Sequence, residues 1–303
     1  MSEKVETFSA KVKRELCRDQ LKKHCCCVAE AYGMLLFGNS FTPELIKVVT
    51  ENPDFTRRIP VLFKKAFDID EELEIQAGGA KIIFSVRDKK AIERIYETVS
   101  LSREMSIAAH LNFGVLEEEH CRAAFIRGAF LAGGSVSDPE TGYHLELATT
   151  HIQVGRQVQA LMVDMDLEPK STVRKSNYVL YFKNSVRIED FLTLIGAGVS
   201  AMDVMSAKIY KDVRNDMNRR VNCDLANTDK TVDAAQMQIA AIRKIEEAEG
   251  LESMGEKLLE TAKMRLENPE ASLTELCSLF DPPVTKSCLN HRLRRIVELA
   301  KEY

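Results

Sequence analysis

Two apolar stretches with the same internal arrangement dominate the pattern of hydrophobic and polar positions along the chain. Each is a mostly apolar segment with a glycine at its third position and a pair of small residues at its end, and they cover residues 31–39 and 126–134. Glycine inside a helix costs roughly 1 kcal/mol relative to alanine. Glycines at matching positions, Gly33 and Gly128, therefore predict two helices that approach each other closely.

The sequence after Gly33 predicts a series of strands and helices in a definite order. A run rich in β-branched side chains predicts a strand, and apolar residues at helical spacing predict a helix after it. Two short strands then flank Gly78-Gly79, a pair typical of a hairpin turn, and a second helix closes the series. The predicted elements cover residues 44–50, 55–67, 73–75, 82–86 and 88–99.

The residues after Gly128 predict the same order. Thr150 and Gln153 have the spacing of a capping box, which predicts a helix that opens there and ends at about Met165. The other predicted elements are strands at 134–136, 144–147, 171–173 and 178–182, a turn at 138–142 and a helix at 188–195. Both halves follow the order αββαββα. The sequence thus predicts an α+β fold with a domain at 1–205, divided into halves at about 1–110 and 115–200.

Both glycine-containing segments resemble the LAGLIDADG helix of homing endonucleases, whose eighth residue is an acid that holds a divalent metal at the scissile phosphate. The repeat is similar to the single-chain form of that fold, with two motif helices packed at a pseudo-twofold axis. Here the eighth residue is Gly38 in one copy and Gly133 in the other. Two metals need carboxylate ligands, and the neighbouring Asn39 and Asp138 are poor substitutes. We therefore expect no catalytic residues, no metal, no cofactor and no nuclease activity.

Residues 206–227 differ from both halves. The segment is dense in Asn and Arg, lacks an apolar stripe and is predicted to be a connector. As an alternative function, Arg214, Arg219 and Arg220 are candidate contacts to the phosphates of a DNA backbone.

The sequence pattern of residues 228–303 predicts an all-α domain. Two amphipathic helices precede a short helix with a capping box, a Pro-containing break and a longer basic helix. These elements cover residues 232–245, 251–266, 272–280 and 285–302, and Ser272 and Glu275 form the capping box. A short helix, a tight turn and a longer basic helix are typical of a helix-turn-helix.

The last helix has an apolar face and a polar face. The residues predicted to face the core are Leu289, Leu293 and Ile296, with Val284, Cys288 and Val297 beside them. Arg and Asn can pair with two atoms of a base edge, and residues near the start of such a helix reach furthest into the major groove. The candidate base-reading residues are Lys286, Ser287, Asn290 and His291, the candidate phosphate contacts are Arg292, Arg294 and Arg295, and Thr285 completes the DNA-binding set.

Composition and charge narrow the class of protein. Hydrophobic residues make up 45% and charged residues 29% of the 303 positions, as in a folded globular protein, and the net charge of −4 excludes a uniformly basic coat. No window resembles a membrane span or a signal peptide. A cytoplasmic, nucleoid-associated protein with no membrane partner is the simplest expectation.

Three consecutive cysteines, Cys25-Cys26-Cys27, fit neither a disulfide framework nor a standard CxxC metal site. A zinc site built from His24, Cys25 and Cys27 is one interpretation; free cysteines that act as small buried hydrophobes at the start of a core helix are the favoured one. The acidic run at 117–119 with His120 also suggests a metal cluster, although acids ahead of a helix more often complement its N-terminal charge.

Three segments closely resemble the WhiA family: residues 125–139, residues 218–227 and residues 286–296. The resemblance spans nearly the whole chain, including residues 8–16. It implies a degenerate LAGLIDADG domain tethered to a helix-turn-helix like region 4 of sigma factors. It also implies a role in transcription linked to sporulation, cell division or chromosome segregation.

Two functions are consistent with these patterns. The first is a non-enzymatic regulator that binds double-stranded DNA, with a sigma factor or another transcription protein as a candidate partner. The alternative is an interaction adaptor that docks transcription or division proteins and contacts DNA only weakly, because three-helix domains often bind proteins.

Overall fold

A computed structural model describes residues 6–101 and 110–303, so the predicted half at about 1–110 extends beyond the described residues at 1–5 and 102–109. The chain forms two compact units, Met1–Lys211 and Asp212–Tyr303. Among the described residues, no helix is both long enough and apolar enough to cross a membrane.

The first unit contains the predicted repeat. After helix α1 (Phe8–Cys17), the first half consists of α2 (His24–Leu36), β1 (Ser40–Phe41), β2 (Ile46–Thr50), α3 (Pro53–Phe67), β3 (Glu74–Gly78), β4 (Lys81–Val86) and α4 (Lys89–Thr98). The second half consists of α5 (Glu119–Gly133), β5 (Gly134–Val136), β6 (Leu145–Thr149), α6 (Ile152–Asp164), β7 (Lys170–Arg174), β8 (Asn177–Phe182) and α7 (Ser185–Ile195). The predicted order αββαββα is confirmed in both halves.

The two sheets have the same topology. Their strand orders are β1-β2-β4-β3 and β5-β6-β8-β7, with antiparallel pairing throughout. The central strands carry the buried residues, as for Val48 and Phe84 in the first sheet and Leu147 and Leu180 in the second, whereas the edge strands β3 and β7 have none. One face of each sheet therefore packs on the helices and the other faces solvent.

Helices α2 and α5, the motif helices, cross at their glycines. A Cβ atom added to Gly33 would lie 2.0 Å from the Phe125 carbonyl oxygen, and one added to Gly128 would lie 1.9 Å from the Glu30 carbonyl oxygen. The contacts are reciprocal, since Glu30 and Phe125 each precede their own glycine by three positions. Backbone touches backbone here, and only glycine permits this approach.

A buried carboxylate next to the crossing joins three helices. Glu30 on α2 is fully buried, and its two oxygens accept from Arg58 of α3 at 2.6 and 2.9 Å. Arg127 of α5 donates to Glu30 at 2.9 Å and to Asp19 at 2.6 Å. Burial alone lowers the pKa of Arg58, but the hydrogen bonds and charge of Glu30 outweigh that effect and raise it. The ion pairs thus satisfy a charge that would otherwise be costly to bury.

The start of α6 differs from the sequence prediction. The capping box at Thr150 and Gln153 is wrong, because α6 begins at Ile152 with His151 as its N-cap. The hydroxyl of Thr149 instead accepts from the His151 amide at 3.2 Å and donates to the Leu36 carbonyl at 2.8 Å. The polar group at the helix entry therefore lies one residue earlier than predicted.

Helix α8 (Gly198–Ala248) runs through the segment predicted to be a connector. Neither glycine nor proline occurs between Gly198 and Gly250, so nothing in the sequence breaks the helix. The prediction that this segment lacks an apolar stripe is wrong. Its exposed apolar residues recur at helical spacing and include Ile209, Val213, Met217, Val221 and Leu225. The unit boundary at Lys211 falls within this helix.

The second unit adds α9 (Glu256–Glu267), α10 (Leu273–Ser278) and α11 (Lys286–Leu299) to the end of α8. The helix predicted at 251–266 is divided, because Gly255 adopts a φ of 78° between a 3-10 turn and α9. The Ser272–Glu275 capping box is confirmed, with both reciprocal hydrogen bonds present. The core of this unit includes Ile242, Ile245, Leu276, Phe280, Leu289, Leu293 and Ile296.

We predict that Gly128→Ala strongly destabilises the first unit. Its new Cβ would meet backbone that cannot rotate away, so the cost should reach or exceed the ~1–3 kcal/mol typical of overpacking. Gly142→Ala is the matched control, since nothing in the described part of the chain lies within 4 Å of its added Cβ. Urea unfolding followed by circular dichroism measures both. Equal stability of the two variants would contradict the crossing geometry.

Candidate nucleic-acid interface

Helix α11 turns its apolar side inward and its basic side outward. Thr285 is its N-cap, and the Thr285 hydroxyl accepts from the Cys288 amide at 3.3 Å. Leu289, Leu293 and Ile296 are buried. Cys288, predicted to lie beside the core, is exposed instead, because it falls just outside the arc that these three residues define.

Most of the predicted DNA-contacting residues share the outer surface of α11. The exposed residues are Thr285, Lys286, Ser287, His291, Arg294 and Arg295, and Asn290 is half-buried. The exposed surface of the helix carries three cations, Lys286, Arg294 and Arg295, and one acid, Glu298. The acid lies 3.4 Å from Arg295. The first three turns of the helix therefore present donors and positive charge to solvent.

Arg292 differs from the other candidates. Its guanidinium carbon lies 5.9 Å from the centre of the Phe280 ring, and Nη1 lies 3.6 Å from a carboxylate oxygen of Glu260 on α9. Only 16% of its side chain is exposed. Arg292 therefore packs within the unit, and the structure gives it no outward position from which to contact phosphate.

A groove of about 390 Å³ runs between α11 and the last part of α8. Asn290 and Arg294 line one side, and Met237 and Gln238 line the other. Asn290 is half-buried because it sits in this groove. A duplex that Asn290 contacts would therefore also lie near α8, a neighbour that the sequence pattern of α11 alone did not reveal.

A second groove, of about 210 Å³, lies where α10 and α11 begin. Lys286 shares it with Lys230, Arg265 and Thr274. Arg265 is 2% exposed, and its Nε has no hydrogen-bond partner among the described residues. Burial lowers the pKa of Arg265, but a guanidinium stays charged. Nη1 of Arg265 donates to the Ala271 carbonyl at 2.7 Å, so the exposed cations of this groove are Lys230 and Lys286. Sequence reasoning missed Lys230 because it lies on another helix.

The three arginines of the former connector lie on α8. Arg214, Arg219 and Arg220 are exposed. Asp216 and Asp224 flank Arg220 at four positions on either side, which is the spacing of neighbours on a helix surface. The arginines therefore stand on a surface of mixed charge and do not form a continuous basic stripe.

The positions that the LAGLIDADG resemblance aligns with catalytic acids have little room for a side chain. A Cβ on Gly133 would lie 2.4 Å from the Ala148 carbonyl oxygen and 3.0 Å from that of Phe37. A Cβ on Gly38 would lie 3.0 Å from the Met34 carbonyl oxygen. An acid at position 133 would require the backbone around it to shift, whereas one at position 38 would need its neighbours to give by a few tenths of an ångström.

Asn39 and Asp138, which follow these glycines in the sequence, already accept hydrogen bonds within the protein. The amide oxygen of Asn39 accepts from the Val49 backbone at 2.8 Å, which fixes it to strand β2. Asp138 accepts from the Glu140 amide at 2.8 Å within a turn. The residues present therefore do not fit the divalent metals of a nuclease, and no catalytic step follows from them.

The solvent-facing charges of the two sheets are partly paired. Arg174 lies 3.2 Å from Glu146, Lys81 lies 3.7 Å from Glu51, and Arg87 lies 3.7 Å from Glu74. Such exposed pairs contribute little stability, but each reduces the positive charge available to a phosphate.

Comparison with known proteins places both units in one family. The family model "WhiA LAGLIDADG-like domain" matches residues 122–214, and "WhiA C-terminal HTH domain" matches residues 217–300. The probable cell division protein WhiA of Ruminiclostridium cellulolyticum is 39% identical, with 97% of each chain covered. The chain belongs to the WhiA family. WhiA of Clostridium novyi is a second relative, 37% identical with 98% of each chain covered.

Solved WhiA structures agree with the fold. The full-length DUF199/WhiA crystal structure from Thermatoga maritima matches with a TM-score of 0.60 and 24% identity, over 98% of this chain and 99% of that one. The predicted α+β architecture is therefore confirmed as that of WhiA: a homing-endonuclease-like domain and a helix-turn-helix. The curated WhiA relatives are described as probable cell division proteins.

We predict that Arg292→Ala destabilises the second unit by about 1 kcal/mol, because it removes the contact with the Phe280 ring and the ion pair with Glu260. Arg295→Ala, on the exposed face of the same helix, should leave stability nearly unchanged. Thermal unfolding of the full chain measures both. If Arg295→Ala proves the more destabilising variant, the assigned orientation of α11 is wrong.

Proposed function

We propose that this protein is a non-enzymatic regulator that binds double-stranded DNA through α11, within the cell-division role that its family relatives bear. The observation that carries the proposal is the outer surface of α11. It presents Lys286, Asn290, Arg294 and Arg295 on a helix whose opposite side is locked into the core. A helix of this kind can enter the major groove and read base edges.

The groove at the start of α10 and α11 supports the proposal. Lys230 and Lys286 supply exposed positive charge there, and phosphate contacts of this type set the register of a protein on the duplex. Arg214, Arg219 and Arg220 are additional candidates along α8. Binding of this kind would place the protein at the nucleoid. The DNA sequences that it recognises would then determine which genes of division, chromosome segregation or sporulation it regulates.

The first unit is proposed to have lost nuclease activity and to serve as a second DNA contact or as a docking surface. Gly38 and Gly133 replace the carboxylates, and the crowding around them excludes a simple restoration. A magnesium-dependent cleavage assay on bound duplex should show no product, because no described side chain at these positions can hold the metal. Cleavage that EDTA abolishes would contradict this part of the proposal.

The second candidate function is an interaction adaptor. The exposed apolar side chains of α8, among them Ile209, Val213 and Met217, favour it, because such residues are common in protein interfaces. A sigma factor or another transcription protein is a candidate partner under either function. DNA affinity that stays at the non-specific level for every sequence selected from a random duplex library would favour the adaptor.

We predict that Arg294→Ala weakens binding to the selected duplex and lowers the slope of log K against log salt by about 1, as expected for one lost phosphate contact. Fluorescence anisotropy across a salt series measures this. Arg174→Ala is the matched control, since that arginine lies on β7 and pairs with Glu146. An unchanged affinity and salt slope for Arg294→Ala would show that α11 has no part in binding.

Asn290→Ala should instead relax sequence preference. Loss of a bidentate contact to adenine removes about 1–3 kcal/mol of discrimination between the right and the wrong base. The ratio of affinities for the selected duplex and its single-base variants measures the effect. An unchanged ratio at every position would exclude Asn290 from base reading.

A further inference from the structure

The first turns of the two motif helices bring together four side chains with metal-binding chemistry. Cys25 and Cys26 lie on α2, and His120 and Cys121 lie on α5. One ligand atom from each residue lies within 4.8 Å of all the others. The Nδ1 atom of His120 is 3.4 Å from Cys26 Sγ and 3.3 Å from Cys121 Sγ.

These separations suit ligands around one tetrahedral ion. Zinc binds thiolate sulfur at about 2.3 Å and imidazole nitrogen at about 2.0 Å, so neighbouring sulfur and nitrogen ligands lie about 3.6 Å apart. Three sulfurs and one nitrogen form the Cys3His set found in structural zinc sites. The set differs from the His24, Cys25 and Cys27 site considered from sequence, because Cys27 points into the core of the first unit.

The four residues follow the internal repeat. Cys25 and His120 are 95 positions apart, and so are Cys26 and Cys121, which is the spacing between Gly33 and Gly128. Each motif helix therefore contributes two adjacent residues from equivalent positions. An ion held by both pairs would lie close to the pseudo-twofold axis of the first unit.

The site is partly open to solvent at the start of both helices. The N-caps of α2 and α5 are Lys23 and Glu118, and neither makes a side-chain capping hydrogen bond within the described residues. Without a metal, burial raises the pKa of Cys26 and Cys121, and a cation bound to both sulfurs would offset that effect. Cys121 is buried and Cys26 half-buried, whereas Cys25 is exposed, so an ion can enter from solvent and still be held by fixed ligands.

We propose that Cys25, Cys26, His120 and Cys121 form a tetrahedral zinc site that clamps the N-terminal ends of the motif helices together. Gly38 and Gly133 lie at the opposite ends of the same helices, about 20 Å away at 1.5 Å per residue. The site is therefore separate from the position of a nuclease metal. Its role is structural, since all four coordination positions are filled by protein and none is left for a substrate.

The test begins with the full chain purified under reducing conditions without chelator and dialysed against metal-free buffer. Mass spectrometry of the metal content should find about one zinc per chain, as for a structural site. Cys26→Ser and Cys121→Ser should each lose most of that zinc. Cys223→Ser, at an exposed position on α8, is the matched control and should retain it.

A second measurement uses the unmodified chain and does not depend on the folding of a variant. Zinc added to the stripped protein should slow iodoacetamide labelling of Cys25 and Cys26, with Cys223 and Cys288 as internal controls that zinc leaves unchanged. Peptide mass spectrometry reads each site. Zinc content near zero with no selective protection would overturn the proposal, and so would a disulfide among Cys25, Cys26 and Cys121 in the reduced preparation.

Discussion

The contact between the backbones of α2 and α5 is the constraint on which the first unit depends. Gly33 meets the carbonyl of Phe125, and Gly128 meets that of Glu30, so any side chain at either position would force the helices apart. The same approach brings Arg127 within 2.9 Å of the buried Glu30 carboxylate, which Arg58 also binds. The close backbone packing and the ion pairs of Glu30 are thus two consequences of one crossing. The same crossing holds the two sheets in equivalent positions on either side of it.

That constraint lies away from the helix ends, where the resemblance to homing endonucleases would place catalytic acids. The glycines required for the crossing lie inside the motif helices, whereas Gly38 and Gly133 lie at their ends, where the Met34 carbonyl is close to the first and the Ala148 carbonyl crowds the second. Stability therefore does not depend on acids at the helix ends. The candidate functional surface lies in the second unit, where Leu289, Leu293 and Ile296 anchor α11 in the core.

Sequence patterns predicted the elements with strong periodicity and failed where the deciding contact is distant in sequence. The repeat was predictable because glycine spacing, hairpin turns and β-branched runs are local signals. The half-buried Arg292 was not, since its partners Phe280 and Glu260 lie on other elements. Lys230 joins the interface through packing alone. The helicity of α8 was missed because Asn and Asp are weak helix formers, yet no glycine or proline interrupts the segment.

The most direct test of the account is hydrogen–deuterium exchange of the full chain with and without a selected DNA duplex. The account predicts that DNA slows exchange in residues 285–295 and at the start of α10, next to Lys286 and Thr274, because bound phosphates and bases shield these turns. Exchange in α2 and α5 should remain unchanged. Protection confined to the sheets of the first unit, with none in α11, would contradict the claim that α11 reads DNA.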